Sequence, residues 1–566
     1  YCGEEVKAAK WTSWSSICPA LPEGSIGCVE AVSLAEGGVL ELLQNPRAFL
    51  SPLWEAERVK PSRVMVEESE WPALARGLVK YGLCEVLPVS SLAQAGGQPI
   101  LNGLFGVEKG EQVNGVEIHR LIMNLIPFNS ISQSVDGDIG TLPMLSQMNG
   151  LQWHPHESLV ISPEDIRCMF YLFALPSAWY PFLGINRPVP DDLVPPLVEE
   201  KCFLVSKVLP MGYLNSVGIA QHLHRNLLKR AQGSPTRCQP WSEVRKDRTW
   251  SLANPLWRVY LDNLDILEKT RPELVHLLDG DLSPDMSPFV DQYHSAGIPL
   301  NAKKSVKQAV FAEVQGAEID GEGSFARPKG EKISKYASAT LAILDRGKCT
   351  QREMQVVAGG LVYFSMFRRP LMGVLNFVWR FIQSFEITDQ KVQMIPRGVQ
   401  SELLMFLGML PLAHIDFRYT LSGTTTASDA SLLGGGVCAT EGVSTLGEAV
   451  AALPVRGNSL CEIPDEGVVV LSLFDGISAA RVALEVIRSR VLLHVSVESD
   501  PLCQRVVESN FADVVFVEKV EDIDPPMVQG WACRASSARL VLVTAGPPCQ
   551  GVSALNRGRK GAEEDP

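Results

Sequence analysis

Leu471-Ser-Leu-Phe-Asp-Gly-Ile-Ser-Ala-Ala480 and Ala545-Gly-Pro-Pro-Cys-Gln-Gly-Val-Ser-Ala-Leu-Asn-Arg557 decide the reading of the C-terminal part of this chain. Around them apolar strands and amphipathic helices alternate: Val468–Leu473, helix Ser478–Ile487, Leu492–Val497, helix Leu502–Asn510, Val514–Val517 and Leu540–Thr544. That alternation predicts an α/β fold with a doubly wound parallel sheet. Ligands of such sheets bind beyond the carboxyl ends of the strands. Phe474, Asp475, Gly476 and Ile477 fall at the first of those ends, where Gly476 removes a Cβ and the next helix offers its first amides. The turn alone is also what an ordinary β–α connection carries.

Glu498 follows at the end of the second strand, with Ser499 and Asp500 beside it. A carboxylate there can accept hydrogen bonds from both ribose hydroxyls of a nucleoside, and Asp500 can share or replace that role. Pro547 and Pro548 stiffen the loop that presents Cys549, whose thiolate is a nucleophile if the crevice holds an electrophile.

In this order, these segments resemble the cofactor loop and the Pro-Cys-Gln loop of the DNA (cytosine-5)-methyltransferases. The resemblance implies the S-adenosylmethionine-dependent methyltransferase fold, with Phe474, Asp475, Gly476, Ile477, Glu498, Ser499 and Pro547 at the cofactor S-adenosyl-L-methionine and Cys549 catalytic. It further implies that a flipped cytosine receives the Cys549 sulfur at C6 and the methyl group at C5, and that loss of the C5 proton then frees the enzyme. Arg557, Arg559 and Lys560 follow as phosphate contacts or as solvated surface. Lys519 stands where the family places an adenine-binding aspartate. The resemblance covers residues 467–566. The family's proton-donating glutamate, Arg-x-Arg element, target-recognition region and last cofactor motif are absent from this sequence, so this chain as it stands is not expected to turn over. Tyr1 in place of Met gives the other end the look of a fragment as well.

The central region carries a second pattern. Val208-Leu-Pro-Met-Gly-Tyr-Leu-Asn-Ser-Val-Gly-Ile-Ala-Gln-His-Leu-His224 resembles the palm segment of reverse transcriptases, and its Gly212 is expected to let a template–primer strand pass close to the backbone. Val259-Tyr-Leu-Asp-Asn263 resembles their Tyr-x-Asp-Asp hairpin, and Asp165, in Pro163-Glu-Asp-Ile-Arg-Cys-Met-Phe170, matches their first palm aspartate. The resemblance implies that Asp165 and Asp262 hold Mg²⁺ for in-line nucleotidyl transfer. His119–Asn129 fits the fingers, with Arg120 a triphosphate contact, Ala296–Ser305 fits the region after the hairpin, and Phe367–Leu371 fits the connection region. Asn263 replaces the second aspartate with a neutral amide, and Asp265 falls at a different height on the strand. A polymerase-like fold with low or no polymerase activity is expected. Ala427-Ser-Asp-Ala-Ser431 with Gly434–Gly436 resembles the opening strand of an RNase H domain, which makes Asp429 a metal ligand there. The stretch before Val468 is too short for the rest of that fold.

Periodicity predicts helices over Pro163–Ala174 and Ser216–Arg230, a strand over Trp257–Leu261, and a largely helical tail through Phe381 and over Gln400–Leu410. The organisation expected is 1–95 unassigned, 96–420 reverse-transcriptase-like with an α+β palm and fingers, 421–466 RNase H-like remnant and linker, and 467–566 the first part of a methyltransferase domain.

Composition limits the remainder. The chain has 566 residues, 46% of them apolar, and a net charge of −13. That charge argues against a strongly basic nucleic-acid binder overall while leaving room for local patches. Thirteen cysteines without a C-x-x-C pair support neither a disulfide framework nor a zinc site. No apolar run reaches the roughly eighteen residues of a membrane span. The expected partner is DNA, or RNA, with no membrane and no small molecule besides the methyl donor. Mg²⁺ enters only with an active polymerase-like region. The expected compartment is the nucleus, otherwise the cytoplasm. The function implied is cytosine-5 methyl transfer to DNA. The alternatives are RNA-templated DNA synthesis, methylation of RNA, and a nucleic-acid-binding relic without chemistry.

Overall fold

Ser158-Leu-Val-Ile-Ser-Pro-Glu-Asp165 is buried at every position, and its β-branched, apolar start suits a strand covered on both faces. A computed structural model of the chain describes residues 9–150, 156–231, 236–247, 254–278, 280–385, 391–419, 422–430, 435–442, 467–486, 490–535 and 540–545. They form a mixed α/β structure with several separate sheets. The chain divides into two compact units, one within residues 9–419 and the other within 422–545.

In the first unit, β1 (Ser158–Asp165), β2 (Leu256–Tyr260) and β3 (Asn263–Thr270) make an antiparallel sheet in the order β2-β3-β1. The helix predicted over Pro163–Ala174 is not formed. Pro163 to Asp165 end β1, and only Met169–Leu172 coil, as a 3-10 turn. The helical spacing of apolar side chains there arises because the strand is buried on both faces, so it has no alternation to betray it. The free edge of β1 is closed by a later segment, through Ile161 N–H to Ala309 O (2.9 Å), Val306 N–H to Pro163 O (3.2 Å) and Leu159 N–H to Gly321 O (3.2 Å). Pro163 lacks an N–H and is tolerated at such an edge.

One face of this sheet, with Trp257, Val259, Leu264 and Ile266, packs on helices α1 (Ser216–Ala231) and α2 (Ser287–Ser295). The same core takes in Ile17, Leu42, Leu74 and Leu78, so residues 9–95 share it. A five-stranded sheet lies in this part, ordered Cys84–Pro88, Cys202–Ser206, Gly184–Pro188, Leu101–Val113, Val116–Asn124. The other face of this sheet, with Leu159, Ile161, Leu256 and Leu267, packs on a core that continues through the helices Gln351–Ser365 and Arg397–Met409 to Phe417. Thr350 and Glu353 start the first of these helices with a reciprocal capping box. The helical tail expected from the sequence is present here.

In the second unit, Thr424–Ala430 pairs antiparallel with Gly435–Glu441, setting Asp429 opposite Gly436. Farther along come β4 (Val468–Leu473), α3 (Ala479–Val486), β5 (Val491–Val497), α4 (Pro501–Asn510), β6 (Val514–Val517), α5 (Pro525–Arg534) and β7 (Leu540–Ala545). The four strands are all parallel, in the order β6-β5-β4-β7. Val468 and Val470 pack with Leu484 of α3, whereas Val469, Leu471 and Leu473 join the cluster of Trp531 of α5. Helices therefore cover both faces. Strand order reverses between β4 and β7, whose carboxyl ends, Leu473 and Ala545, are register partners.

Arg258 on β2 and Asp265 on β3 face each other on neighbouring strands of the three-stranded sheet, 2.9 Å apart from Nε to Oδ2, and each is about 1% exposed. Replacing Asp265 with Asn leaves the guanidinium buried without its countercharge. This change should cost about 3–5 kcal/mol. The check is urea unfolding followed by tryptophan fluorescence, and a loss well under about 1 kcal/mol would show that the pair does not hold the sheet.

Candidate nucleic-acid and cofactor sites

Asp165 and Asp262 meet because of strand register. Asn263, the first residue of β3, pairs with Asp165, the last of β1, and the hairpin turn before it carries Asp262. Ile166 N–H donates to Asp262 O (2.8 Å), which ties the turn to the chain just past Asp165. Leu261 takes φ 51° in that turn, a strained conformation for a branched side chain. Helix α1 holds it there. Gln221 accepts from Leu261 N–H (2.8 Å) and donates to Val259 O (3.0 Å), while His224 bridges Leu261 O (2.5 Å) and the Tyr293 hydroxyl (2.6 Å). His224 is fully buried, and burial pulls its pKa down to about 4, against the pull of the Leu261 carbonyl.

Burial, together with the negative charge of Asp165, pushes the Asp262 carboxyl up to about 6, with Lys304 and Arg120 acting in the opposite direction. Asn263 Nδ2 donates to Asp262 Oδ1 (2.9 Å). Asp165 is 3% exposed; its Oδ1 accepts from Asn301 Nδ2 (3.0 Å) and its Oδ2 from Lys304 Nζ (2.8 Å). Asp265 is paired with Arg258, and so takes no part. Among the described residues no three His, Cys, Asp or Glu side chains are grouped so as to hold a metal ion. With an amide at Asn263 and an ammonium on Asp165, this donor set does not fit the two-ion site implied by the resemblance.

Gly212 does have a neighbour that a Cβ would strike, but it is internal. A Cβ there would fall 2.0 Å from the Met123 carbonyl oxygen. The absence of a Cβ thus has a reason within the protein itself, close packing of this segment against the strand Val116–Asn124. Asn215 ties the same segment to the chain farther on, accepting from Val135 N–H (2.9 Å) and donating to Gln133 O (2.9 Å). Arg120 is exposed on the same strand. Lys304, Asn301, Gln221 and His224 lie inside the segments that the sequence singles out, but no role could be assigned to them, because each acts on a residue distant in sequence.

In the second unit, the loop after β4 is strained at Phe474 and Ser478, with φ 54° and 61°, and turns at Gly476 with φ 58°. Glu498, at the end of β5, pins the loop: Oε2 accepts from Gly476 N–H (2.7 Å) and Oε1 from Asp500 N–H (2.8 Å). Phe474 and Ile477 are exposed at 43% and 58%. The Asp475 carboxylate instead points inward, accepting from the Ser478 and Ser496 hydroxyls, with His494 Nε2 at 3.6 Å. Burial would raise its pKa, but the contacts with His494, Ser478 and Ser496 outweigh this and hold it below the ordinary aspartate range. Asp500 caps α4 by accepting from Leu502 N–H (2.8 Å) and Ser499 is exposed. Pro547, Cys549, Arg557, Arg559 and Lys560 lie outside the described residues, as does the side chain of Asp429.

No family model matches the chain, and no curated protein matches it. Among solved structures it is similar to foamy viral protease-reverse transcriptases. One, in complex with double-stranded DNA, is 13% identical at a TM-score of 0.42, over 90% of this chain and 92% of that one. Another, in complex with an RNA/DNA hybrid, is 12% identical at 0.43, over 84% of this chain and 58% of that one. A third, the dRH form with DNA, is 13% identical at 0.42, over 88% and 75%. At this level of likeness the functional reading rests on the geometry of the sites themselves. No described helix is long and apolar enough to cross a membrane.

His224 yields a pH prediction with a definite sign. Its folded pKa, about 4, is below the ordinary 6.5, so the unfolded chain takes up the proton first. Its share of stability is present above pH 6.5 and is lost as pH falls toward 4, by roughly 3 kcal/mol at most. Unfolding curves of the wild type and His224→Gln should converge over that window, and a constant gap between them would contradict the assignment.

Proposed function

We propose that the first unit is the palm and fingers of an RNA-directed DNA polymerase of the retroelement type, serving in this chain as a body that binds a template–primer. The observation that carries this reading is the convergence of Asp165 and Asp262 at one end of an antiparallel palm sheet. Two like charges brought together at a buried strand end cost stability unless a function keeps them there. Arg120 lies close enough to act on Asp262, and would contact the phosphates of a bound strand. Nucleotide addition is not part of the proposal, because Asn263 and Lys304 leave the acids unfit for two metal ions. The test is fluorescence anisotropy with a labelled recessed-end RNA/DNA duplex. Binding should weaken steeply with salt, and Arg120→Ala should weaken it by about tenfold at low salt. Failure to bind the duplex at low salt by a folded protein would end this reading.

A second reading concerns the second unit, which would bind S-adenosyl-L-methionine as the start of a cytosine-5 methyltransferase domain acting on DNA or RNA. It is favoured by the placement of Glu498, whose carboxylate is fixed by the Gly476 amide at the reversal of strand order. Each of its oxygens retains a lone pair for a ribose hydroxyl. Calorimetry should show S-adenosyl-L-methionine binding that drops by about tenfold or more in Glu498→Ala. A covalent adduct with 5-fluorocytosine DNA, abolished by Cys549→Ser, would extend the reading to catalysis, and equal cofactor binding by wild type and Glu498→Ala would remove its support.

A further inference from the structure

The sequence explains a silent palm by Asn263 alone, but the structure shows a second device. Lys304 belongs to the segment that closes the edge of β1, and its backbone is fastened there. Asn301 N–H donates to Asp165 O (2.9 Å), Lys304 and Ser305 N–H donate to Asn301 O (2.9 and 3.1 Å), and Val306 N–H donates to Pro163 O (3.2 Å). Ser305 Oγ adds a hydrogen bond to Glu164 Oε1 (2.6 Å). This scaffold sets the Lys304 ammonium 2.8 Å from Asp165 Oδ2, with its side chain 61% exposed over a carboxylate that is 5% exposed. The cation therefore lies across the solvent side of a buried acid.

We infer that Lys304 is a tethered counter-ion occupying the place of a divalent cation at Asp165, and that the palm acids stay closed to divalent metal for as long as it is there. The inference rests on the palm reading proposed above. A charge carried on the same chain competes at an effective concentration of about millimolar, so a dilute metal ion must displace it rather than fill a vacancy. An aspartate restored at position 263 would stand in register with Asp165, and would be drawn to the same ammonium. Restoring that acid is therefore insufficient by itself. Removing Lys304 as well should open the site.

The experiment measures Mn²⁺ binding to the full chain by loss of the free-ion paramagnetic resonance signal. It compares the wild type, Asn263→Asp, Lys304→Met and the double variant, with Lys303→Met as a control for general surface charge. Because Lys304 is mostly exposed, its replacement is not expected to unfold the protein, and thermal melts verify this. The double variant should bind Mn²⁺ at least about tenfold more tightly than Asn263→Asp, and adding Asp165→Asn to it should abolish the gain. Equal affinity of Asn263→Asp and the double variant would overturn the role of Lys304 while leaving the palm reading intact. A folded double variant that binds no Mn²⁺ would likewise overturn the inference, whereas the palm reading stands or falls with duplex binding, which does not depend on the metal.

Discussion

The pairing of Asn263 with Asp165 is the constraint on which the first unit's site depends. A strand slip of one residue would turn every side chain of β3 to the other face, taking Leu264 and Ile266 out of the core they fill and Asp265 away from Arg258. The register is therefore specified by the core on both sides of the sheet. The same register that buries Leu159, Ile161, Leu264 and Ile266 brings Asp165 and Asp262 together. The chain accepts the electrostatic penalty at the sheet's end because apolar burial over its length is larger.

The surroundings relieve that penalty in two ways. Asn301, Asn263 and Lys304 supply donors to the carboxylates, and α1 supplies the polar struts Gln221 and His224 that hold the strained Leu261. A helix buried around almost its whole circumference has to satisfy its polar side chains internally, and here that need coincides with bracing the hairpin. The outcome is a rigid acidic corner that already contains its own positive charge.

The second unit meets a related problem differently. Its loop after β4 places Phe474 and Ser478 in left-handed backbone conformations, and two carboxylates hold it from opposite sides, Glu498 from the crevice and Asp475 from within. Both acids were expected to face a ligand, but Asp475 turns inward to Ser478 and Ser496 and only Glu498 stays at the strand end. A sequence motif contains both acids without saying which way either points, since the direction depends on the turn's φ values and on hydroxyls of neighbouring strands.

By itself the sequence determined the α/β alternation after Val468, the helix from Ser216 and the strand leading to Asp262, because strand and helix periods are local properties; the hairpin and the identity of the acids were legible only through resemblance to known families. It misplaced Pro163–Ala174, since a strand buried on both faces has no alternation to read, and it could not show that Met123 lies against Gly212. Only the tertiary structure decided that Asp265 is consumed by Arg258, that Asp475 turns inward, and that Lys304 lies on Asp165. Each of these is a contact between side chains on different elements, fixed by packing and by the neutralisation of buried charge, and such contacts leave no periodic trace along a chain.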